Sequence, residues 1–171
     1  DLDCDAGGVG CAKTSPSFFE GAMLRTVSAQ RVIGGAWKTS ELLELAYQFP
    51  SPGSGQEVSL WLGRARRTGY AASGATTLPE VLFGGWPLAN RVDSAGNSTM
   101  TKFRLNSIFD ELGGRTWVGY GQPDGETCVV GSLPAWSANQ KACYPHWWSP
   151  HVGSPGFGVF HKYVVLWVSR D

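Results

Sequence analysis

Four cysteines stand in two pairs that are close in sequence, Cys4 with Cys11 and Cys128 with Cys143. An even number of cysteines in local pairs indicates disulfides made in an oxidising compartment. It is a weaker sign of zinc, which usually brings CxxC spacing and nearby histidines. We therefore predict a secreted or cell-surface chain with both of these disulfides. The first one is expected to staple a Gly-rich N-terminal loop over residues 1–14.

Length and charge narrow the class of protein further. With 171 residues, of which 42% are hydrophobic, the chain is long enough for a single globular domain over residues 1–171. Lys plus Arg equals Asp plus Glu at 14 each, so we expect no basic surface for nucleic acid or anionic lipid. No run of about 18 apolar residues is present, so no membrane span is predicted.

Two further features fit secretion. Asn97-Ser98-Thr99 is a glycosylation sequon in a polar stretch, so Asn97 is predicted to carry a glycan in an exposed loop. The sequence begins with a polar stretch from Asp1 and lacks the pattern of a signal peptide. We therefore expect that any signal peptide has already been removed.

The first of two predicted helices begins near Ser15. Ser15-Pro16 has the form of an N-cap followed by proline at the first helical position. Phe19, Ala22 and Met23 follow at the spacing of one helix face. This pattern predicts a short helix directly after the N-terminal loop.

The second predicted helix begins at Thr39 or Ser40, either of which can cap it, and ends before Pro50. Acidic residues occupy its early turns, where the helix dipole favours negative charge. Its apolar stripe consists of Leu42, Leu45, Ala46 and Phe49. This spacing is typical of a helix that buries one face.

The rest of the chain predicts short strands and long loops. Apolar and polar residues alternate at 58–62 and at 101–105, which favours strands, whereas 63–100 has no period and is interpreted as a long loop. A short helical turn is predicted over 107–112, ending at two glycines. Further strands are predicted at Thr116–Gly119, Cys128–Val130 and Tyr163–Ser169. Helices first and strands later indicate an α+β fold with a small, mostly antiparallel sheet.

No catalytic arrangement is recognisable, so we predict that the chain is not an enzyme. The chain has three histidines and no G-x-S-x-G motif. Asp110-Glu111 are adjacent, so in a helix their side chains would diverge and form a solvated face. His146 and His151 flank Trp147-Trp148, but their spacing and the nearby prolines fit no helical metal pair. We interpret both as loop histidines with local hydrogen bonds.

Aromatic residues are the stronger signal. Six of them fall within 32 residues, interleaved with Gly, Pro, Ser and Asn: Trp117, Tyr120, Trp136, Tyr144, Trp147 and Trp148. Aromatic faces next to amide and carboxylate groups suit sugars, because the C–H face of a sugar stacks while its hydroxyls form hydrogen bonds. We expect at least half of the eight tryptophans of the chain to lie in the core instead.

Residues 117–143 carry their motifs in a definite order: Trp117, the Gln122-Pro123-Asp124 triplet, Glu126 before Cys128, and Trp136 before Cys143. In this order they resemble the second half of a C-type lectin-like domain. Trp61-Leu62-Gly63 is similar to the Trp-Ile-Gly signature that precedes the long loop of that family. The resemblance implies a C-type lectin-like fold and a carbohydrate-binding or adhesive module.

The resemblance also implies a site. A Gln-Pro-Asp triplet is associated with galactose-type ligands, so the partner would be a glycan or a cell-surface glycoprotein. Calcium would be the cofactor, since it takes six to eight oxygen ligands and amide and carboxylate groups supply them. Its implied ligands are Gln122, Asp124, Glu126 and Asn139. The implied ligand-binding residues are these four together with Trp136, His146, Trp147 and Trp148.

Three alternatives remain open. The same fold would also serve a protein-recognition module, in which the tandem tryptophans form an apolar patch. A fibrinogen-like recognition domain also ends in a Cys-Trp-Cys region, although it normally needs a longer chain. A secreted hydrolase would need a cleft that holds Asp110 or Glu111 with a histidine.

Overall fold

The protein is nearly all β-structure. The computed structural model describes residues 22–53, 58–92, 99–123, 128–129, 131–148 and 156–171. Of these residues 63% lie in strands and none lies in an α-helix. The predicted α+β fold with two early helices is therefore wrong. Within these ranges, no helix has the length and apolar character needed to cross a membrane.

Ten strands form two antiparallel sheets. In chain order they are β1 (Thr26–Ile33), β2 (Ala36–Gln48), β3 (Trp61–Ala71), β4 (Gly74–Thr77), β5 (Val81–Ala89), β6 (Thr101–Phe109), β7 (Arg115–Gly121), β8 (Cys143–Trp148), β9 (Gly156–His161) and β10 (Val164–Arg170). The large sheet has the order β1-β2-β3-β5-β6-β7-β10, with β4 pairing β3. The small sheet is the β8–β9 hairpin, which the chain forms between β7 and β10. A single turn of 3₁₀ helix, Trp136–Ala138, precedes β8.

The second predicted helix is instead strand β2. It pairs with β1 through a turn at Gly34-Gly35, whose φ angles of 59° and 79° are those that a tight two-residue hairpin turn requires. On its other side it pairs with β3, where Leu45 lies opposite Ala65. Ser40, predicted as an N-cap, donates its hydroxyl to the carbonyl of Ala29 across the hairpin. Pairing on both sides satisfies the backbone of β2, and this outweighs the helical spacing of its leucines.

The predicted long loop over 63–100 is also wrong, since it contains most of β3 and all of β4 and β5. Strand β3 lacks an apolar period because its middle carries three arginines, Arg64, Arg66 and Arg67. Two of them pair across to β2: Arg66 with Glu44 at 3.0 Å, and Arg67 with Glu41 at 3.9 Å. Opposite charges on neighbouring strands thus replace the apolar alternation that sequence patterns detect.

Strand β6 confirms the prediction at 101–105, but it continues to Phe109, so the helical turn predicted over 107–112 is wrong. The connection to β7 is a turn closed by Asp110. Its Oδ1 accepts hydrogen bonds from the backbone N–H groups of Leu112 at 2.9 Å and Gly114 at 2.8 Å. These bonds, with Arg170 nearby, hold the pKa of Asp110 below its usual value. An aspartate that caps its own turn explains why the segment reverses direction.

The remaining strand predictions have mixed outcomes. The strands at 116–119 and 163–169 are confirmed as parts of β7 and β10. The strand at 58–62 begins only at Trp61, and Cys128 and Val129 lie in no strand. Most of the first predicted helix falls outside the described residues, and Ala22 and Met23 are not helical. Trp61 donates its indole N–H to the carbonyl of Phe83, so it locks β3 onto β5.

The best-buried apolar group lies at the base of the β8–β9 hairpin. The predicted Cys128–Cys143 disulfide is confirmed and packs with Val159 and Val92 in one cluster. The most buried apolar side chains in the described chain are Cys128, Ala142, Cys143, Val159 and Phe160. The hairpin is therefore anchored at its base, and its position against the large sheet defines the site described next.

Candidate functional site

A cleft of about 630 Å³ opens between the β8–β9 hairpin and the ends of β5 and β6. We call it the hairpin cleft. Its described lining residues are Asn90, Met100, Arg104, Tyr144, His146, Phe160, His161, Lys162 and Tyr163. Its size falls in the range of sites for small ligands, and its lining mixes aromatic rings with a few polar groups.

Backbone hydrogen bonds fix the two walls of the hairpin cleft relative to each other. The N–H of His161 donates to the carbonyl of Asn90 at 2.7 Å, and the N–H of Val92 donates to the carbonyl of Val159 at 2.8 Å. A further bond lies within the hairpin itself, where the N–H of Lys162 donates to the carbonyl of Ala142 at 2.8 Å and extends the β8–β9 pairing. Because main-chain bonds join the walls, the lining side chains project from a rigid frame.

One wall of the cleft is aromatic. Phe160 is 7% exposed, and the ring of Tyr144 stacks on it with centroids 5.9 Å apart and planes 29° apart. The imidazole of His146 meets the same phenyl ring edge-on. Tyr144 itself is 48% exposed. A buried ring thus supports an exposed one, which gives a firm aromatic surface at the mouth of the cleft.

Besides its aromatic wall, the cleft contains the positively charged side chain of Arg104. The guanidinium of Arg104 lies over the ring of Tyr163, 4.7 Å from its centroid, and donates a hydrogen bond from Nη2 to Asn90 Oδ1. The hydroxyl of Tyr163 donates to the carbonyl of Ala89 at 3.1 Å. Burial raises the pKa of Tyr163, with Arg104 acting in the opposite direction. These contacts hold Arg104 in one place, and none of its partners among the described residues is a carboxylate.

His161 lies at the inner end of the cleft against the end of β7. Gln122 donates from Nε2 to His161 Nδ1, which puts the proton of a neutral imidazole on Nε2. Burial lowers the pKa of His161. The imidazole is therefore neutral near pH 7, where it can donate from one nitrogen to a ligand.

Met100 adds an unusual backbone conformation to the cleft. Its φ is 50°, and among the described residues the other positive φ angles belong to glycines. A non-glycine residue in this region carries strain, and such residues cluster at binding sites.

The lowered pKa of His161 predicts a pH-dependent stability. The unfolded chain, with an ordinary histidine pKa of about 6.5, binds the proton at a higher pH than the folded protein does. The stability that neutral His161 contributes is therefore present above about pH 6.5 and is lost as the pH falls through the folded pKa. We expect the melting temperature of His161→Gln to fall less between pH 8 and pH 5 than the melting temperature of the wild type.

His146→Gln is the matched control for that experiment, because it removes a histidine from the same cleft. The measured quantity is the slope of melting temperature against pH, which is compared between the two variants. Equal slopes for His161→Gln and the wild type would contradict the stated effect of burial.

The hairpin cleft includes part of the predicted site. His146 lines it, and Gln122 touches it through His161. Asn139 is engaged elsewhere: its Nδ2 donates to the carbonyl of Cys143 at 2.6 Å, and its Oδ1 accepts the N–H of Lys141 at 2.9 Å. It shapes the loop before β8.

The described members of the predicted calcium set do not by themselves fit a calcium site. Gln122 is 8% exposed, and only its Oε1 lacks a hydrogen-bond partner among the described residues. The described ranges contain no cluster of three or more His, Cys, Asp or Glu side chains that could hold a metal. Calcium binding stays a prediction that depends on Asp124 and Glu126, which lie outside the described residues.

Trp136 and Trp147 are not among the described lining residues of the hairpin cleft. Trp136 belongs to the 3₁₀ turn and is partly exposed. Trp147 follows His146 in β8, so it points to the opposite face of the hairpin, where it is 55% exposed. There its ring meets Phe157 edge-on with centroids 4.6 Å apart. Trp148 ends β8, and its backbone pairs with Gly156.

Other predicted features fall outside the described residues. They are the Cys4–Cys11 disulfide with the loop over 1–14, the glycosylation at Asn97, and the loop position of His151.

The hydrolase alternative required an acid paired with a histidine. The described side-chain partners of Asp110 are the turn it caps and Arg170, and the described partner of Glu111 is Arg67 at 3.2 Å. None of these partners is a histidine, and neither acid is among the described lining residues of the hairpin cleft. This finding gives the hydrolase alternative no support.

Several lining residues were not predicted, above all Arg104, His161, Lys162 and Tyr163. One signal was present: His161 and Tyr163 are two residues apart, a spacing that puts side chains on one face of an extended chain. Arg104 gave no signal, because it alternates with apolar residues as any solvent-facing strand residue does. They come together only because the segment that follows β9 returns beside the end of β5, where His161 bonds Asn90 and Tyr163 bonds Ala89.

Comparison with known proteins adds no relative to this picture. No protein-family model matches the chain, and neither the curated proteins nor the solved structures contain a match. The resemblance to C-type lectin-like domains therefore stays a prediction, and the function has to be argued from the cleft itself.

Proposed function

We propose that the chain is an extracellular carbohydrate-binding module whose saccharide occupies the hairpin cleft. The observation that carries this proposal is the exposed ring of Tyr144 supported by the buried ring of Phe160 at the cleft mouth. The C–H face of a sugar ring gains dispersion and apolar contact on such a surface. The flexible side chain of a lone exposed tyrosine would provide a less ordered platform.

Polar groups beside this platform supply the second half of sugar recognition. His146 stands on the same strand as Tyr144, and Asn90 and His161 line the interior. Amide and imidazole groups donate and accept hydrogen bonds, which suits the hydroxyls of a sugar. This set of hydrogen-bonding groups supports the binding of a saccharide.

The extracellular part of the proposal is supported by the disulfide. A buried disulfide such as Cys128–Cys143 persists in secreted and cell-surface proteins, whereas the cytosol keeps thiols reduced. Glycans and cell-surface glycoproteins are the partners that such a location offers.

A glycan array tests the proposal through Tyr144→Ala. We expect the wild type to bind a subset of glycans, and we expect Tyr144→Ala to weaken that binding about fivefold to tenfold because the stacking surface is lost. Tyr144→Phe keeps the ring and should retain most of the binding. Trp37→Ala, an exposed aromatic on β2, is the control for losing a ring elsewhere.

Two results would overturn the proposal. One is the absence of any glycan signal with folded protein, and the other is glycan binding that Tyr144→Ala leaves unchanged. The second result would move the sugar site away from the hairpin cleft.

A protein-recognition module is the second candidate, favoured by the outer face of the hairpin. Trp147 is 55% exposed and Phe157 is 70% exposed, and the two rings contact each other. Paired exposed aromatics are typical of protein interfaces. In cell-binding assays, enzymatic removal of cell-surface glycans separates the candidates. A protein-recognition module still binds the deglycosylated cells, whereas a carbohydrate-binding module does not. Binding by a protein-recognition module should instead be lost in the Trp147→Ala variant.

A further inference from the structure

The described charged residues that line the hairpin cleft are all basic. Its described lining contains Arg104 and Lys162 and neither Asp nor Glu. The whole chain is balanced, with 14 basic and 14 acidic residues, so this asymmetry belongs to the cleft and does not follow from composition. A cleft with one sign of charge concentrates ligands of the opposite sign.

Arg104 differs from most arginines of the large sheet in its partners. Among the described residues, the arginines that form ion pairs with carboxylates are Arg64, Arg66, Arg67 and Arg170. Arg104 instead has a neutral amide, Asn90, and the ring of Tyr163. Its positive charge therefore has no carboxylate partner among the described residues.

One nitrogen of this guanidinium also lacks a hydrogen bond. Nη1 of Arg104 is buried and has no hydrogen-bond partner within the described part of the chain. A buried donor of this kind is costly to leave unsatisfied, so proteins seldom keep one without a reason. An oxyanion in the cleft would satisfy both the donor and the charge.

The shape of the group selects among oxyanions. A guanidinium presents its N–H groups in a planar fork that matches the two oxygens of a carboxylate. Asn90 and Tyr163 hold the fork in place before any ligand arrives, which lowers the entropy lost on binding. Lys162, exposed at the rim, adds a second positive charge without directional preference.

We propose that the hairpin cleft selects saccharides that carry a carboxylate and that Arg104 binds this carboxylate. The sugar ring stacks on Tyr144 while its acid group reaches Arg104. This inference rests on the proposed saccharide-binding function and specifies its ligand class.

Matched acidic and neutral sugars test the proposal by titration calorimetry. The probes are oligogalacturonate, oligoglucuronate and sialyllactose, each beside its carboxyl methyl ester, which keeps the sugar and removes the charge. At least one acid should bind the wild type about tenfold to a hundredfold more tightly than its ester. Arg104→Gln should remove this preference, so that acid and ester bind with about equal affinity, and Arg104→Lys should restore part of it.

Arg31→Gln, on the exposed strand β1, is the control for losing an arginine outside the cleft. If Arg104→Gln does not fold, the affinities of the wild type for acid and ester still test the preference for a carboxylate. Equal binding of acid and ester overturns the inference and leaves saccharide binding intact. If the protein binds none of these probes and no glycan on the array, both the saccharide-binding function and the preference for a carboxylate are overturned. A sulfated galactan bound as tightly as the acids, and equally dependent on Arg104, overturns the preference for carboxylate.

Discussion

Replacing Cys128 and Cys143 together by serine is expected to lower the free energy of unfolding by about 3 kcal/mol. The bond joins residues 15 positions apart, and without it the unfolded chain gains the freedom of an open loop. Both half-cystines are also buried, at 2% and 3% exposure, in the cluster with Val159. Two buried hydroxyls in that apolar cluster add to the loss. Thermal melts should show a fall of roughly 6–12 °C.

Cys4→Ser/Cys11→Ser is the matched control, because it removes the other pair of cysteines and keeps Cys128 and Cys143. It should not disturb the cluster around Val159. The Cys128→Ser/Cys143→Ser variant should also lose glycan binding, since the disulfide anchors the hairpin that forms one wall of the cleft. An unchanged melting temperature in Cys128→Ser/Cys143→Ser would show that the hairpin base does not contribute to global stability.

Phe160→Ala is the second change with a large expected effect, about 3–5 kcal/mol. The side chain is 7% exposed and supports Tyr144 and His146. Truncation removes buried apolar area and leaves a cavity beneath the aromatic wall, where backbone bonds of β9 hinder collapse. The melting temperature should fall by roughly 6–20 °C. Saccharide binding should fall at temperatures at which the variant is still folded.

Phe157→Ala tests whether burial causes this effect. Phe157 stands on the same strand but is 70% exposed, and its described ring contact is Trp147. Its loss should cost about 1 kcal/mol. Similar destabilisation by both substitutions would argue against a special role for Phe160 beneath the cleft.

Several local features of the fold could be predicted because their causes are local. The strand at 101–105 alternates apolar and polar residues as a strand with two unlike faces does. The disulfide between Cys128 and Cys143 follows from proximity in sequence, which makes the closing of a short loop easy. The glycines after residue 112 mark a turn, although the predicted helical turn before them is strand up to Phe109.

Strand β2 illustrates where local signals mislead. Its leucines have the spacing of a helix face, and Thr39 and Ser40 are good helix caps. Yet strands on both sides pair with its backbone, and the Gly34-Gly35 turn returns it beside β1. The Gly-Gly dipeptide was the stronger signal, because few other residues tolerate two successive positive φ angles.

For the hairpin cleft, the sequence patterns named only part of the described lining. The aromatic-rich stretch before residue 148 does supply Tyr144 and His146 to the cleft. By itself, the sequence determines the pairing of Cys128 with Cys143, a neutral overall charge and a strand at 101–105, since each depends on composition or on residues that are close in sequence. Only the tertiary structure decides that Arg104 and His161 face one cleft. They are 57 residues apart, and the pairing of strands from distant parts of the chain sets their distance in space.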